Sequence, residues 1–591
     1  MKIDDQPIPD LPMRVMTGTP VSPGIALGIA YVHETGGLSV IEYCVPPEKT
    51  AAEVARFRAA VRHVAADLKT IAEEARRLPE QAAEEISYIL DAHTHMLKRS
   101  RLTRGVETLI AEKRINAEAA VKRQIDDLVA AFAAMDDLYL AARADDVRDL
   151  GQRLVRRLGH EEATAFADLP RQTIILADEL TPADTAQMDP HRIAGFATEL
   201  GGVASHTAIM ARSLGIPAVV GVAGLTRALA PGCTVIVDGT HGRVILNPTP
   251  EQMADYRKGR AAALRRARVL HRLRGLPAVT RDGRRVTLMA NIERPEETNA
   301  AVIAGAEGIG LFRSEFLYMN RDDMPTADEQ YETLKAVVER MDGHPVTFRT
   351  LDVGGDKLTR LFDLGVAPNP AMGLRAVRLS LARPELLRAQ FEAAIRAAVH
   401  GPVRLLLPMI GSVGELRECR AHFREVYDAL RARGATMPET PPPLGVMIEV
   451  PGAALCADAL AREAGFLSVG TNDLTQYTLA IDRSDEQVAH LYDGMHPAVL
   501  RLIHFTAEAA RRARVPVSVC GEVAGDPRYT GLLVGMGISE LSMAPANLPL
   551  VKDTVRHMLA PAAEELAVQV MRRADVLDVR RLVADFNGES I

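Results

Sequence analysis

The strongest constraint on this chain is a rhythm in its C-terminal half. Eight short apolar runs recur there: VTLMAN (286–291), GIGLFR (308–313), VTFRTLD (346–352), VRLLLPM (403–409), GVMIEV (445–450), FLSVGTND (466–473), VPVSVCGE (515–522) and ELSM (540–543). Helical text such as PELLRAQFEAAIRAAV separates most of them. Strands buried on both faces read as near-continuous apolar runs. Eight of them alternating with helices predict a closed (β/α)8 barrel.

The first 250 residues have another texture. Residues 1–13 read as a flexible, Pro-rich tail. PGIALGIAYV (23–32) is β-like, and so are TIILA (173–177), IAGFAT (193–198), AVVGV (218–222), TVIVDG (234–239) and RVILNP (243–248). From Leu38 to Leu150 there is one glycine, Gly105, and apolar residues fall at helical spacing, as in Val54, Phe57, Val61, Val64 and Leu68. The expected fold class is therefore α/β multidomain: an α/β domain over 14–44 and 161–248, an inserted helical bundle over 45–160, a linker helix over 249–278 and the barrel over 279–591. Thr249 and Gln252 stand at capping-box spacing at the start of that linker. Its eight basic residues between Arg257 and Arg274 read as a solvated face.

Composition excludes several classes of function. Lys plus Arg number 70 against 77 Asp plus Glu, Trp is absent and aromatics are 4%, so no nucleic-acid partner is expected. The five cysteines form no CxxC pair, which argues against structural zinc and fits a reducing cytoplasm. The N-terminus has no signal-peptide pattern, and no 18-residue apolar stretch predicts a membrane span. GIG at 308–310 fails the dinucleotide fingerprint, because its sixth position is Arg313.

Active sites of such barrels lie at the carboxyl ends of the strands. There the sequence puts Arg313 and Glu315, then Arg349, Asp352, Gly354, Gly355, Asp356 and Lys357, then Glu449, then Asn472 and Asp473 followed by Arg483, and finally Cys520, Gly521 and Glu522. Converging guanidiniums suit a phosphate dianion. Glu449 and Asp473 offer hard oxygen ligands for Mg2+. Cys520 reads either as a small buried apolar residue or as a proton donor. In the α/β domain, GGVASHTAIMARSLGIPAVVG (201–221) leads through Ser205 into a helix starting near His206. A histidine beside free amides at a helix start can carry a phosphoryl group. On local grounds alone a polar surface histidine is an equal reading.

That segment resembles the phosphohistidine signature of enzyme I of the bacterial phosphoenolpyruvate-dependent phosphotransferase system. GIGLFRSEFLYMNRDDMPTADEQ, FRTLDVGGDK, GVMIEVPGA, SVGTNDLTQYTLAIDR and VCGEVAGD resemble its C-terminal signatures, and the likeness runs from about Met13 to about residue 570. The resemblance implies a swivelling phosphohistidine domain in which His206 is phosphorylated by phosphoenolpyruvate. It implies Arg313, Arg349, Asn472, Asp473 and Arg483 as substrate ligands, and Glu449 and Asp473 as ligands of Mg2+. Cys520 would protonate the enolate to give pyruvate. The helical bundle would dock the phosphocarrier HPr, and the barrel would form a homodimer.

Two departures accompany the likeness. Ala204 stands where the family has Thr, and KRSRLTR (98–104) follows HTHML where the family is acidic, which bears on the choice of carrier. Two other readings remain: a pyruvate phosphate dikinase-like enzyme, for which no ATP-binding segment is seen, and a regulator that senses phosphoenolpyruvate without turnover.

Overall fold

A computed structural model describes residues 13–588 except 34–39, 41, 76–89, 91–92, 99, 134–137, 160–168, 181–183, 186–187, 190, 203–204, 229–231, 320, 322, 354–368, 484 and 486. The expected tail up to residue 12, Ala204, Arg99 of the basic stretch, and Gly354, Gly355, Asp356 and Lys357 lie outside the described residues. The chain divides into two compact units, residues 1–265 and 266–591.

The first unit is built on one eight-stranded sheet. Its strands are β1 (Arg14–Thr17), β2 (Thr19–Ser22), β3 (Ile25–His33), β4 (Thr173–Ala177), β5 (Ile193–Thr198), β6 (Ala218–Val220), β7 (Thr234–Asp238) and β8 (Arg243–Leu246), in the order β1-β8-β7-β3-β4-β5-β6-β2. β3 runs antiparallel to β7 and parallel to β4, with Ile29 opposite Thr173. One face buries Ile175, Phe196 and Val220, and the other buries Ile174, Val219 and Val237. Burial on both faces explains why the central strands β4, β5 and β6 read as near-continuous apolar runs.

Helices Thr50–Ala75, Arg101–Lys113, Ala117–Ala133 and Leu138–Leu158 occupy the connection between β3 and β4. Their seam of Phe57, Val64, Leu68, Val106, Ile110, Leu150 and Leu154 is the stripe that the helical period required. Met210, from helix His206–Leu214, is buried in that same seam. Helix Pro250–Leu273 begins with the expected reciprocal cap: Thr249 N–H donates to Gln252 Oε1 at 3.1 Å, and Gln252 N–H to Thr249 Oγ1 at 3.2 Å. The helix buries no residue, which agrees with its charged, solvated reading.

The second unit is the barrel. β9 (Thr287–Ile292), β10 (Ile309–Phe312), β11 (Val346–Arg349), β12 (Val403–Leu407), β13 (Leu444–Ile448), β14 (Leu467–Val469), β15 (Val517–Val519) and β16 (Glu540–Met543) are parallel and close through the β16–β9 pair. All eight expected strands are present, but most end sooner than the apolar text suggested. The residues just beyond each strand leave the ladder and form the mouth. Gly310 sits mid-strand in β10, where a Cβ would fall 2.3 Å from Ser542 Oγ, so the glycine is there for packing. No helix among the described residues is long and apolar enough to cross a membrane.

Candidate active site

The carboxyl ends of the barrel strands bring acids and guanidiniums together in alternation. Glu449 follows β13 and is fully buried. Its Oε1 accepts from Met409 N–H at 2.6 Å, while Oε2 has no hydrogen-bond partner. Asp352, just past β11, lies between two arginines: Arg349 Nη1 is 2.9 Å from its Oδ2, and Arg375 Nη2 is 2.8 Å from its Oδ1. Arg349 also reaches Glu315 Oε1 at 2.8 Å, and Asp352 N–H donates to that same oxygen. Asp473 lies in the first turn of helix Thr471–Leu479, directly after β14, rather than in strand text as the sequence suggested.

The electrostatics follow from burial. Burial pushes the Glu449 carboxyl well above the usual carboxylate range, and Asp352 and Asp473 push it the same way. Burial also acts against charge on Asp352, but Arg349 and Arg375 outweigh it and hold that carboxyl below its ordinary range. One oxygen from each of Asp352, Glu449 and Asp473 lies within 4.8 Å of the others. Burial and these two neighbouring acids act against charge on Glu449, and a cation bound among them would relieve that. With a partnerless buried oxygen on Glu449, the set fits a hard divalent metal.

Beside the acids is a cationic rim. Arg313 directly follows β10, and its charge is opposed first by burial and then by Arg349, with Arg483 also near. Its guanidinium is paired with Glu293, which follows β9. Asn472 and Glu522 exchange two hydrogen bonds, Asn472 Nδ2 to Glu522 Oε1 at 3.1 Å and Glu522 N–H to Asn472 Oδ1 at 2.9 Å. Arg483 Nη1 reaches the same Glu522 carboxylate at 3.1 Å. Gly521 allows this close approach, since a Cβ there would meet Thr471 Oγ1 at 1.9 Å. An anion entering the mouth finds Arg313, Arg349, Arg483 and Asn472 at its edge, each held in place by a carboxylate.

Cys520 immediately follows β15 and is buried. Leu311, Leu406, Met447 and Phe466 surround it as an apolar floor, and its Sγ–H points to Val469 O at 3.6 Å. Burial pushes its thiol up to about 11, so it is protonated at neutral pH. Cys520 is thus packed and protonated, a state that both sequence readings allow.

His206 belongs to the first unit. It is the first residue of helix His206–Leu214, capped by Ser205 Oγ, which accepts from Ala208 N–H at 3.3 Å. The other seven candidates, Arg313, Arg349, Glu449, Asn472, Asp473, Arg483 and Cys520, all belong to the barrel mouth.

Several residues escaped the sequence reading. Arg375 follows no strand; it enters from the N-terminal cap of helix Ala376–Ala382, and Tyr477 OH accepts from it at 3.3 Å. Asp352 was legible as a mouth residue but not as the third carboxylate. Asn291 Nδ2 donates to Cys520 O at 2.8 Å and ties β9 to the thiol's backbone. Asn291 and Glu293 lie at the carboxyl end of the first barrel strand, so the rule that found the other candidates would have found them.

Comparison with known families gives three matches along the chain. Residues 17–143 match the N-terminal region of PEP-utilising enzymes, residues 169–242 their mobile domain and residues 267–560 their PEP-binding domain. A phosphoenolpyruvate-protein phosphotransferase of Cupriavidus necator is 42% identical over 570 residues, covering 94% of this chain and 97% of its own. One from Bacillus sp. (strain S) is 39% identical, covering 94% and 96%. One from Listeria innocua is 37% identical, covering 98% and 100%. Similarity of that degree over nearly the full length of both chains means that this chain belongs to the phosphoenolpyruvate-protein phosphotransferase family of PEP-utilising enzymes.

Proposed function

We propose that the barrel mouth binds phosphoenolpyruvate, that His206 takes its phosphoryl group, and that HPr receives it from His206. The observation that most supports this is the mouth itself: phosphate-matching guanidiniums, a three-carboxylate cluster and a protonated thiol on adjoining strand ends.

Arg313, Arg349 and Arg483 hold the phosphoryl and carboxylate oxygens, and Asn472 and Asp473 orient them. Glu449 and Asp473, joined by Asp352, would hold Mg2+. Bound there, the ion would neutralise charge on the substrate's oxygens. The imidazole of His206 attacks phosphorus, the bond from phosphorus to the enol oxygen breaks, and its electron pair stays on the departing enolate. The Cys520 Sγ–H then gives its proton to the enolate's terminal carbon, forming pyruvate, and the thiolate recovers a proton from water.

His206 must serve two partners, so the domain over 14–44 and 161–248 swivels, with its hinge in the 249–278 segment. The bundle over 45–160 docks HPr. Residues 279–591 form the catalytic barrel and a homodimer contact, and the protein works in the cytoplasm.

The test is stoichiometric. The full chain, given phosphoenolpyruvate and Mg2+, should release one pyruvate for each acid-labile phosphate it gains. Phosphoenolpyruvate binding with neither product would leave a sensor, and the proposal would fail.

A further inference from the structure

Helices Thr50–Ala75 and Arg101–Lys113 run antiparallel. Val45 N–H donates to Arg114 O at 2.7 Å, and Ala117 N–H to Glu53 Oε1 at 2.7 Å, so one helix starts where the other ends. Midway along, Arg58 Nε and Nη2 both reach the Glu107 carboxylate at 2.8 Å. On the first helix, Arg62 and Lys69 fall on the same side as Arg58, at spacings of one and three turns. On the second, Arg104 lies one turn before Glu107 and Arg101 one turn before that, with Lys98 just ahead of the cap Ser100. Arg62, Lys69, Lys98, Arg101 and Arg104 are all exposed.

Among the described residues, no ion pair neutralises any of those five cations. Glu107 is engaged by Arg58. Asp67 faces the other side of its helix, where its charge acts on Arg153. Among the described residues, Arg104 bonds only Ser100 O of its own helix. Like charges at helical-neighbour spacing repel one another. An anionic surface laid across both helices would relieve that repulsion. The stripe also belongs to the block that seats Met210 of the His206 helix.

We propose that this stripe is a docking surface for the phosphoryl acceptor and that the acceptor meets it with an acidic face. The inference rests on the carrier-docking role given above to the helical block and adds the charge of the partner. A protein partner is favoured over a polynucleotide because the stripe is short and the chain as a whole is acidic, with net charge −7. Complementary exposed charges act mainly on encounter, so the expected signature is kinetic and sensitive to salt.

The experiment uses the full chain, HPr as the acceptor, and the variant Arg62→Glu/Arg101→Glu/Arg104→Glu. Phosphorylation by phosphoenolpyruvate should be unchanged, which also shows that the variant is folded. Transfer to HPr should fall about tenfold or more in kcat/KM, through KM, and should lose most of its dependence on salt. Unchanged transfer would overturn the charge assignment while leaving the carrier reading intact. A wild-type chain that loads phosphate but passes none to HPr would refute the carrier reading and this inference with it. If instead the wild-type chain binds a single-stranded oligonucleotide, the variant does not, and transfer is unaltered, the stripe is a nucleic-acid contact.

Discussion

Replacing Cys520 by Ala separates packing from chemistry, and the structure supplies a magnitude for each. The side chain is buried against Leu311, Leu406, Met447 and Phe466, so loss of the sulfur leaves a small apolar void. That should cost about 1–2 kcal/mol of stability. Phosphoenolpyruvate affinity should barely change, because Arg313, Arg349 and Arg483 need no thiol. Pyruvate formation should slow about 100- to 10,000-fold, the contribution of a well-placed acid.

A pH profile adds an independent check. The thiol is pushed up to about 11 by burial, so the wild-type rate should hold through the range where a free thiol titrates and fall only toward that value. Stability should follow the same sign. The folded state keeps its proton longer than the unfolded one, so the stabilisation from this group is complete below roughly pH 8.5 and is lost as pH rises through about 11. The assay is pyruvate release against phosphate exchange with HPr on the same variant. Equal slowing of both, or of neither, would refute the proton-donor role.

Two further predictions concern the mouth. Gly521→Ala should cost about 1–3 kcal/mol, because its Cβ would fall on Thr471 Oγ1, and phosphoenolpyruvate KM should rise as Asn472 and Glu522 are displaced; unchanged melting and KM would refute the crowding argument. Asp352→Asn should cost about 3 kcal/mol by leaving the buried Arg349 and Arg375 short of a counter-charge, and calorimetric unfolding showing no loss would contradict that assignment.

The barrel was legible because most positions of its strands are buried, whichever face they point to, and so are written as largely apolar runs. Strand ends were less legible. VTFRTLD reads as one run, yet β11 stops at Arg349, because Asp352 turns into the mouth to meet two guanidiniums. Asn472 and Asp473 read as the end of a strand, but the chain has already begun a helix at Thr471. Arg375 left no trace, since it reaches Asp352 from a helix cap and not from a strand end. Local spacing cannot show a contact made across 23 residues of chain. Cys520 was legible as a mouth residue, but the upward push on its thiol comes from burial on an apolar floor drawn from four separate segments.

The most direct test of the account is where the phosphate goes. The full-length chain should be incubated with phosphoenolpyruvate and Mg2+, digested under conditions that preserve acid-labile phosphate, and mapped by mass spectrometry beside a His206→Ala variant. The account predicts one acid-labile phosphate on the wild-type peptide containing His206. It predicts none anywhere on the variant, which should still bind phosphoenolpyruvate. Acid-labile phosphate on the variant, or on a different wild-type peptide, would contradict it.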